Sequence, residues 1–384
     1  MSTYTLLNAG RIIAGPGSIA GIKDVAADLG AERVLIVTDR GVAGAGLIER
    51  PRKLLEEAGL RVAVLDDTPP EPEVGQVEAI LAAARPHAPD LVVGIGGGSA
   101  MDVAKVVAVL LNNAVSLREL VNKTPIARRG VPTLMVPTTA GTGSETTPNS
   151  IVLVPEDELK VGIVSPKLMP DCVILDPELT LGLPPAITAS TGMDALCHAI
   201  ECYTSKKGNP FSELLALKAI TLISRSIRRA FTTGTDLDAR HDMLLGAMYG
   251  GMCIATSSTT AVHALSYPLG GKYRIAHGIS NAILLPFVMR FNAVGNEEKF
   301  RDVALAMGLD VASLSPAQAA DAMVDALFAL NRDLRIPGDL KRWNITGGDL
   351  ETLVDGAAKV TRLLDNNPRP MDKADIRAIY EQLI

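Results

Sequence analysis

At 384 residues the chain is longer than one ordinary globular core, so two domains of roughly 150 to 200 residues are expected. A hydrophobic fraction of 47%, a charged fraction of 21% and a single tryptophan exclude a disordered or fibrous chain and imply a core of aliphatic side chains. With 43 acidic residues against 37 basic ones and neither sign gathered into a run, there is no electrostatic footprint for nucleic acid or an anionic membrane.

From the N-terminus, residues 1–10 lack a basic segment followed by an apolar one, so no secretory signal is visible and a cytoplasmic protein is expected. Short β-branched runs then alternate with helical stretches: a strand at 34–38, a helix to about Gly59, and strands at 61–65, 91–95 and 131–137. Strands of this length separated by helices imply βαβ units and a parallel sheet of nucleotide-binding type. Asp39 closes the first of these strands, where a carboxylate can accept from adenosine ribose hydroxyls and repel a 2′-phosphate. That placement favours NAD over NADP, and a helix N-cap is the competing reading of the same residue.

Two glycine-rich loops follow. The strand Leu91-Val92-Val93-Gly94-Ile95 runs into Gly96, Gly97, Gly98 and Ser99, with a helix over 100–111 behind them. Glycines let a backbone approach a phosphate closely, and the helix N-terminus offers free N–H groups and the positive end of a dipole. The spacing departs from G-x-G-x-x-G, so a bare strand-to-helix turn stays open for this loop alone. Pro137-Thr138-Thr139-Ala140-Gly141-Thr142-Gly143-Ser144-Glu145 supplies four hydroxyls among two glycines, suited to amide, ribose and phosphate oxygens. Two such loops on successive strand ends point to a dinucleotide.

At Pro184-Pro185 the pattern changes. Beyond it lies a series of amphipathic helical patterns such as 212–229 and 316–330, so the expected division is an α/β domain over 1–183 and an all-helical domain over 184–384, with ligands where the helices meet the carboxyl edge of the sheet. Residues 243–269 carry no Lys, Arg, Asp or Glu and are long enough to span a membrane, but the polar run Thr256-Ser257-Ser258-Thr259-Thr260 and His263 suit a helix buried in protein. Four cysteines, Cys172, Cys197, Cys202 and Cys253, contain no C-x-x-C pair and read as buried thiols.

Of five histidines, His87 and His241 stand in polar surroundings and read as surface residues. Asp194 and His198, four positions apart, share one helical face and can chelate one ion. His263 and His277 follow in an otherwise apolar segment. Each histidine alone reads as a hydrogen-bonded core residue; together with Asp194 they form an N/O donor set without thiolate, suited to Fe(II), Zn or a related divalent ion.

These motifs resemble the iron-containing, group III, alcohol dehydrogenase family. The likeness runs from residues 94–102 through 137–145 and Asp176-Pro177-Glu178-Leu179 to Asn367-Pro368-Arg369-Pro370. The resemblance implies an α/β nucleotide-binding domain and an all-α domain, an architecture shared with dehydroquinate synthase. It implies that Asp194, His198, His263 and His277 bind the metal, and that Gly96, Gly97, Gly98, Ser99, Asp102, Thr138, Thr139, Thr142 and Lys160 border the dinucleotide. Asp39 matches the position that disfavours NADP. Many members carry a second histidine four residues after the third ligand; here Tyr267 stands in that place, as a proton relay or as a packing residue.

The expected activity is hydride transfer between NAD(H) and a small alcohol or aldehyde, the ion polarising the substrate oxygen, in a cytoplasmic homodimer. A lyase reaction of the dehydroquinate synthase type is the alternative. It requires clustered Lys and Arg, and the segments 261–278 and 190–203 offer only Lys272 and Arg274.

Overall fold

A computed structural model of the chain describes residues 3–157 and 159–384. It separates into two compact units, one holding Leu7–Thr139 and Gly143–Leu183, the other the described residues before Leu7 together with Ala140–Thr142 and Pro184–Ile384. The change after Leu183 falls at the Pro184-Pro185 pair. The excursions before Leu7 and at Ala140–Thr142 join the helical unit and carry no signature in the sequence pattern.

The first unit contains β1 (Arg11–Ala14), β2 (Arg33–Val37), β3 (Arg61–Leu65), β4 (Leu91–Gly96), β5 (Thr133–Pro137), β6 (Asn149–Val154), β7 (Leu159–Val164) and β8 (Cys172–Leu175). Its helices are α1 (Ile22–Asp28), α2 (Arg40–Gly44), α3 (Glu49–Glu57), α4 (Val74–Ala84), α5 (Gly98–Leu111) and α6 (Leu117–Val121). Six strands form a parallel sheet in the order β1-β8-β5-β4-β2-β3, while β6 and β7 make a separate antiparallel hairpin. Alternating side chains of β2 divide between two cores: Val34 and Ile36 pack with Ile22, Val25 and Leu55, whereas Leu35 and Val37 pack with Val77, Met101 and Ala104. Helices therefore cover both faces, as continuous β-branched strands require.

Strand order creates a crevice at the carboxyl edge of the sheet. From β2 the chain steps outward to β3, then returns so that β4 lies on the other side of β2. The loops leaving β2 and β4 thus diverge at the carboxyl edge, the position where open parallel sheets take ligands. Asp39 follows β2 there, and the glycines follow β4.

The second unit is helical: α7 (Pro185–Thr204), α8 (Pro210–Thr232), α9 (Leu237–Ser257), α10 (Ala261–Tyr273), α11 (His277–Ala293), α12 (Glu297–Ala306), α13 (Pro316–Asp333), α14 (Leu350–Ala358), α15 (Thr361–Leu364) and α16 (Lys373–Tyr380). Proline occupies the first turn of α7, α8 and α13, where its missing N–H costs nothing, and Asn209 and Ser315 cap the latter two through side-chain oxygens. Ile200, Ile223, Leu244, Leu265, Leu285, Phe300 and Leu327 belong to one apolar core. The charge-free stretch divides into α9 and α10, with Ser258 at a φ of 69° between them. Among the described residues no helix is long and apolar enough to cross a membrane.

A buried polar knot fastens the glycine loop of β4 to the segment after β5. The Lys105 ammonium, fully buried on α5, pairs with Asp102 at 3.1 Å and donates to the Ser144 carbonyl at 3.0 Å and to that of Asn149. Asp102 accepts from the Ser144 hydroxyl and from the Ile151 N–H at 2.9 Å. Glu145 lies in the same interior, and burial, only partly offset by its own N–H and by Lys105, pushes its carboxyl up to about 7. A raised carboxyl pKa means the folded state holds the proton more tightly than the unfolded chain. The associated stability is therefore complete below pH 4.5 and is lost as pH rises through 7. Relative to Glu145→Gln, the wild type should lose on the order of 3 kcal/mol between these limits. Melting temperatures of the two proteins from pH 4.5 to 8 check this, and a difference that does not change with pH would remove Glu145 as the cause.

Candidate functional site

Helix α7 carries Asp194 and His198 one turn apart, and α10 carries His263 in its first turn. His277 opens α11. The four side chains converge: His198 Nε2, His263 Nε2 and His277 Nε2 lie 3.8, 3.9 and 3.8 Å from the same oxygen, Asp194 Oδ1. All four ligating atoms fall within 4.8 Å of one another. Donors set tetrahedrally about an ion at ~2.1 Å would be roughly 3.4 Å apart, so a small inward relaxation would suffice to fit a divalent cation. Three of the side chains are buried and His277 is partly open. His87, by contrast, is exposed, and His241 is half-buried away from the cluster.

A close approach of backbones brings α11 in. A Cβ built on Gly278 would stand 2.3 Å from the Ser190 carbonyl oxygen of α7, so no larger residue allows this contact. The neighbouring His277 is thereby pressed towards Asp194.

Glu201 escaped the sequence reading. It lies seven positions after Asp194, hence on the same face of α7, and is 0% exposed. One carboxylate oxygen accepts from the Thr260 hydroxyl at 2.8 Å and the Val262 N–H at 2.7 Å, and the other bonds His263 Nδ1. Burial works against its ionisation, but His263 and these donors outweigh burial and lower its pKa. An ionised acceptor fixes the proton on His263 Nδ1 and leaves the Nε2 lone pair facing Asp194. Asn281, one turn after His277, donates to Asp194 Oδ1 at 2.7 Å, and its amide nitrogen lies 3.2 Å from both His263 Nε2 and His277 Nε2. Burial opposes the Asp194 charge as well, yet the three imidazoles and this amide hold its carboxyl down at about 2.

In the α/β unit, Gly96 ends β4 at a φ of 152°, and a Cβ there would lie 2.8 Å from that of Ala100. Glycine is thus required by both conformation and space. Gly97, Gly98 and Ser99 are partly exposed over the N-terminus of α5, where the first N–H groups of the helix are available. Thr138 is buried and its N–H bonds the Gly96 carbonyl at 2.9 Å, while Thr139 is partly open beside Gly97. Asp39 performs the cap role: one oxygen accepts from the Val42 N–H at 3.0 Å, while the other lies beside Gly96. Asp102 is directed inward, to the loop knot. Lys160 pairs with Glu71 at 2.6 Å, and the Glu71 N–H reaches the Ser99 hydroxyl at 3.4 Å, so this pair neighbours the glycine loop. Thr142 belongs to the helical unit, where the adjacent Gly141 packs against Thr191 of α7.

Tyr267 follows His263 by one turn on α10, its ring 6.5 Å from that of His277. Burial raises the pKa of its hydroxyl, and the positive charge of Arg362 offsets part of the rise.

Comparison with known proteins agrees along the whole chain. Residues 9–177 match the family model described as iron-containing alcohol dehydrogenase, and residues 188–384 match that of the family's C-terminal part. Long-chain-alcohol dehydrogenase 1 of Geobacillus thermodenitrificans is 40% identical over 92% of this chain and 90% of its own. A crystal structure of a 1,3-propanediol oxidoreductase superposes with a TM-score of 0.95 at 34% identity, covering 100% of both chains. The sulfoacetaldehyde reductase of Bifidobacterium kashiwanohense, solved in complex with NAD+, gives 0.90 at 30% identity over 100% of this chain and 99% of that one. The lyase alternative has no counterpart among these relatives. This chain belongs to the iron-containing alcohol dehydrogenase family, and it is a metal-dependent oxidoreductase of alcohols and aldehydes.

Proposed function

We propose that the enzyme passes a hydride between NAD(H) and a small alcohol or aldehyde, with a divalent ion held by Asp194, His198, His263 and His277. The observation that carries this reading is the convergence of three imidazole Nε2 atoms on one ionised carboxylate oxygen. Fe(II) accords with the family; Zn suits the same donors and binds them more tightly by the general affinity order. When bound, such an ion polarises the substrate oxygen as a Lewis acid.

The remaining work falls to named residues. Glu201 orients His263 through Nδ1, and Asn281 fixes Asp194, so the donors are aligned before any ligand arrives. Gly96, Gly97, Gly98 and Ser99 present open backbone at the start of α5 to the cofactor diphosphate, with Thr138, Thr139, Thr142, Asp102 and Lys160 shaping the surrounding loops. Asp39 retains an oxygen beside Gly96 to receive ribose hydroxyls. The NAD+ complex of the sulfoacetaldehyde reductase supports that choice of cofactor. Tyr267 borders the substrate. Its raised pKa keeps the phenol protonated at neutral pH, so it donates a hydrogen bond and shapes the pocket; it is no general base. We further assign the enzyme to the cytoplasm as a homodimer; four buried, unpaired thiols fit a reducing compartment, and light scattering of the purified protein tests the dimer.

Metal dependence is the decisive test. Chelation should abolish aldehyde reduction and re-addition of Fe(II) or Zn(II) should restore it, while His263→Ala should bind less than one equivalent by metal analysis. Full turnover in rigorously metal-free protein would overturn the reading.

Glu201→Gln should lower metal affinity by about 10- to 100-fold in a competition titration, because the amide no longer fixes the His263 tautomer as an anion does. Unchanged affinity in a folded variant would leave Glu201 a packing residue.

Cofactor choice is read at Asp39. Asp39→Asn keeps an oxygen to cap α2 and removes the charge that repels a 2′-phosphate, so the NADH over NADPH ratio of kcat/KM should fall by about tenfold. A wild type that used NADPH as well as NADH would displace Asp39 from this role.

A further inference from the structure

The loop that follows β3 is laced to the β6–β7 hairpin by backbone. The Leu153 N–H donates to the Pro72 carbonyl at 2.9 Å, Glu73 forms a bridge with Leu153, and Leu153 stands opposite Lys160 in the hairpin register. Three neighbouring backbones therefore fix the separation between Lys160 and Glu71, the residue before Pro72, and the two side chains meet at 2.6 Å. Glu71 has a φ of 54°, a left-handed conformation that a residue with a side chain disfavours, and its N–H reaches the Ser99 hydroxyl at 3.4 Å. The ion pair is thus tied to the first turn of α5 by the frame around it.

The Lys160 side chain is only 10% exposed and that of Glu71 26%, so water screens the pair less than it would a surface pair. An ammonium has three donors and no acceptor, and can hold a carboxylate and a phosphate oxygen together. The two anions then repel each other across it. A dehydrogenase exchanges its nicotinamide cofactor at every turnover, and departure of the product cofactor can limit the rate as readily as chemistry does.

We propose that Glu71 is a positioning residue that holds the Lys160 ammonium and, by neutralising it, weakens the grip on the dinucleotide diphosphate so that the cofactor leaves. The inference rests on the reading above, in which the diphosphate takes the start of α5 and Lys160 borders it. Glu71 then acts as an internal competitor: its carboxylate keeps the cation in place and shares it with the ligand.

Fluorescence titration of the metal-loaded enzyme with NADH tests this through Kd, without turnover. Glu71→Gln should bind NADH about tenfold more tightly than the wild type, and stopped-flow displacement should show the gain as slower release. The gap should narrow as ionic strength rises. Glu71→Gly removes the same charge at a backbone angle that glycine accepts, and should tighten binding as well. Lys160→Met should weaken binding by tenfold or more. A merely structural role for Glu71 predicts no gain in affinity, so unchanged Kd in both Glu71 variants overturns the inference. Weaker binding in both also overturns it, by making the carboxylate a direct support of the cofactor, and unchanged Kd in Lys160→Met removes the cation through which Glu71 acts. A metal-loaded wild type that binds no NADH defeats the cofactor reading itself.

Discussion

Two ionised carboxylates among apolar helices are the constraint on which the helical unit depends. Asp194 is 2% exposed and Glu201 0%, and an unpaired buried carboxylate costs several kcal/mol after relaxation. Each is therefore surrounded by donors drawn from separate helices: α7 supplies the acids, α10 brings His263 and the Val262 N–H, and α11 brings His277 and Asn281. Helix packing and site chemistry are then one problem. The close contact at Gly278 that seats α11 on α7 also completes the donor set, so loosening the packing would expose the charges, and removing the charges would leave the helices without their polar register.

The α/β unit solves the opposite problem. Its glycine turn over α5 is partly exposed backbone, so the loops need rigidity from below. Lys105 and Asp102 provide it, tying α5 to Ser144, Asn149 and Ile151 while the N–H groups at the start of α5 remain uncommitted by a side-chain cap. Asp102, which the family resemblance places at the dinucleotide border, is turned inward and holds the loop instead. Asp39 likewise serves two ends, capping α2 with one oxygen and leaving the other towards the glycine loop.

Periodicity carried most of this architecture. The strands at 61–65 and 91–95 and the long helices α8 and α13 are legible because each buries a face with its own period. The strand expected from residue 131 begins at Thr133, since Pro132 has no N–H for the ladder. The β6–β7 hairpin, the edge strand β1 with its neighbour β8, and the passage of Ala140–Thr142 into the helical unit depend on tertiary pairing and leave no local pattern. Within the site, Asp194 and His198 announce themselves by a four-residue spacing. Glu201 is hidden because a glutamate on a helix reads as a solvated side chain until its burial is known. Glu71 is further from legibility still, since its partner Lys160 lies about ninety residues away in sequence.

The tyrosine at position 267 stands one turn beyond His263 on α10, its ring 6.5 Å from that of His277. An imidazole in that place would titrate within the physiological range, so the wall beside His277 would change charge with pH. Tyrosine both donates and accepts a hydrogen bond but cannot become a cation. Burial raises the pKa of its phenol and keeps the proton in place at neutrality. Tyr267 thus adds hydrogen-bonding capacity beside the imidazole cluster without adding a charge, at a place where Asp194 and Glu201 already set the electrostatics.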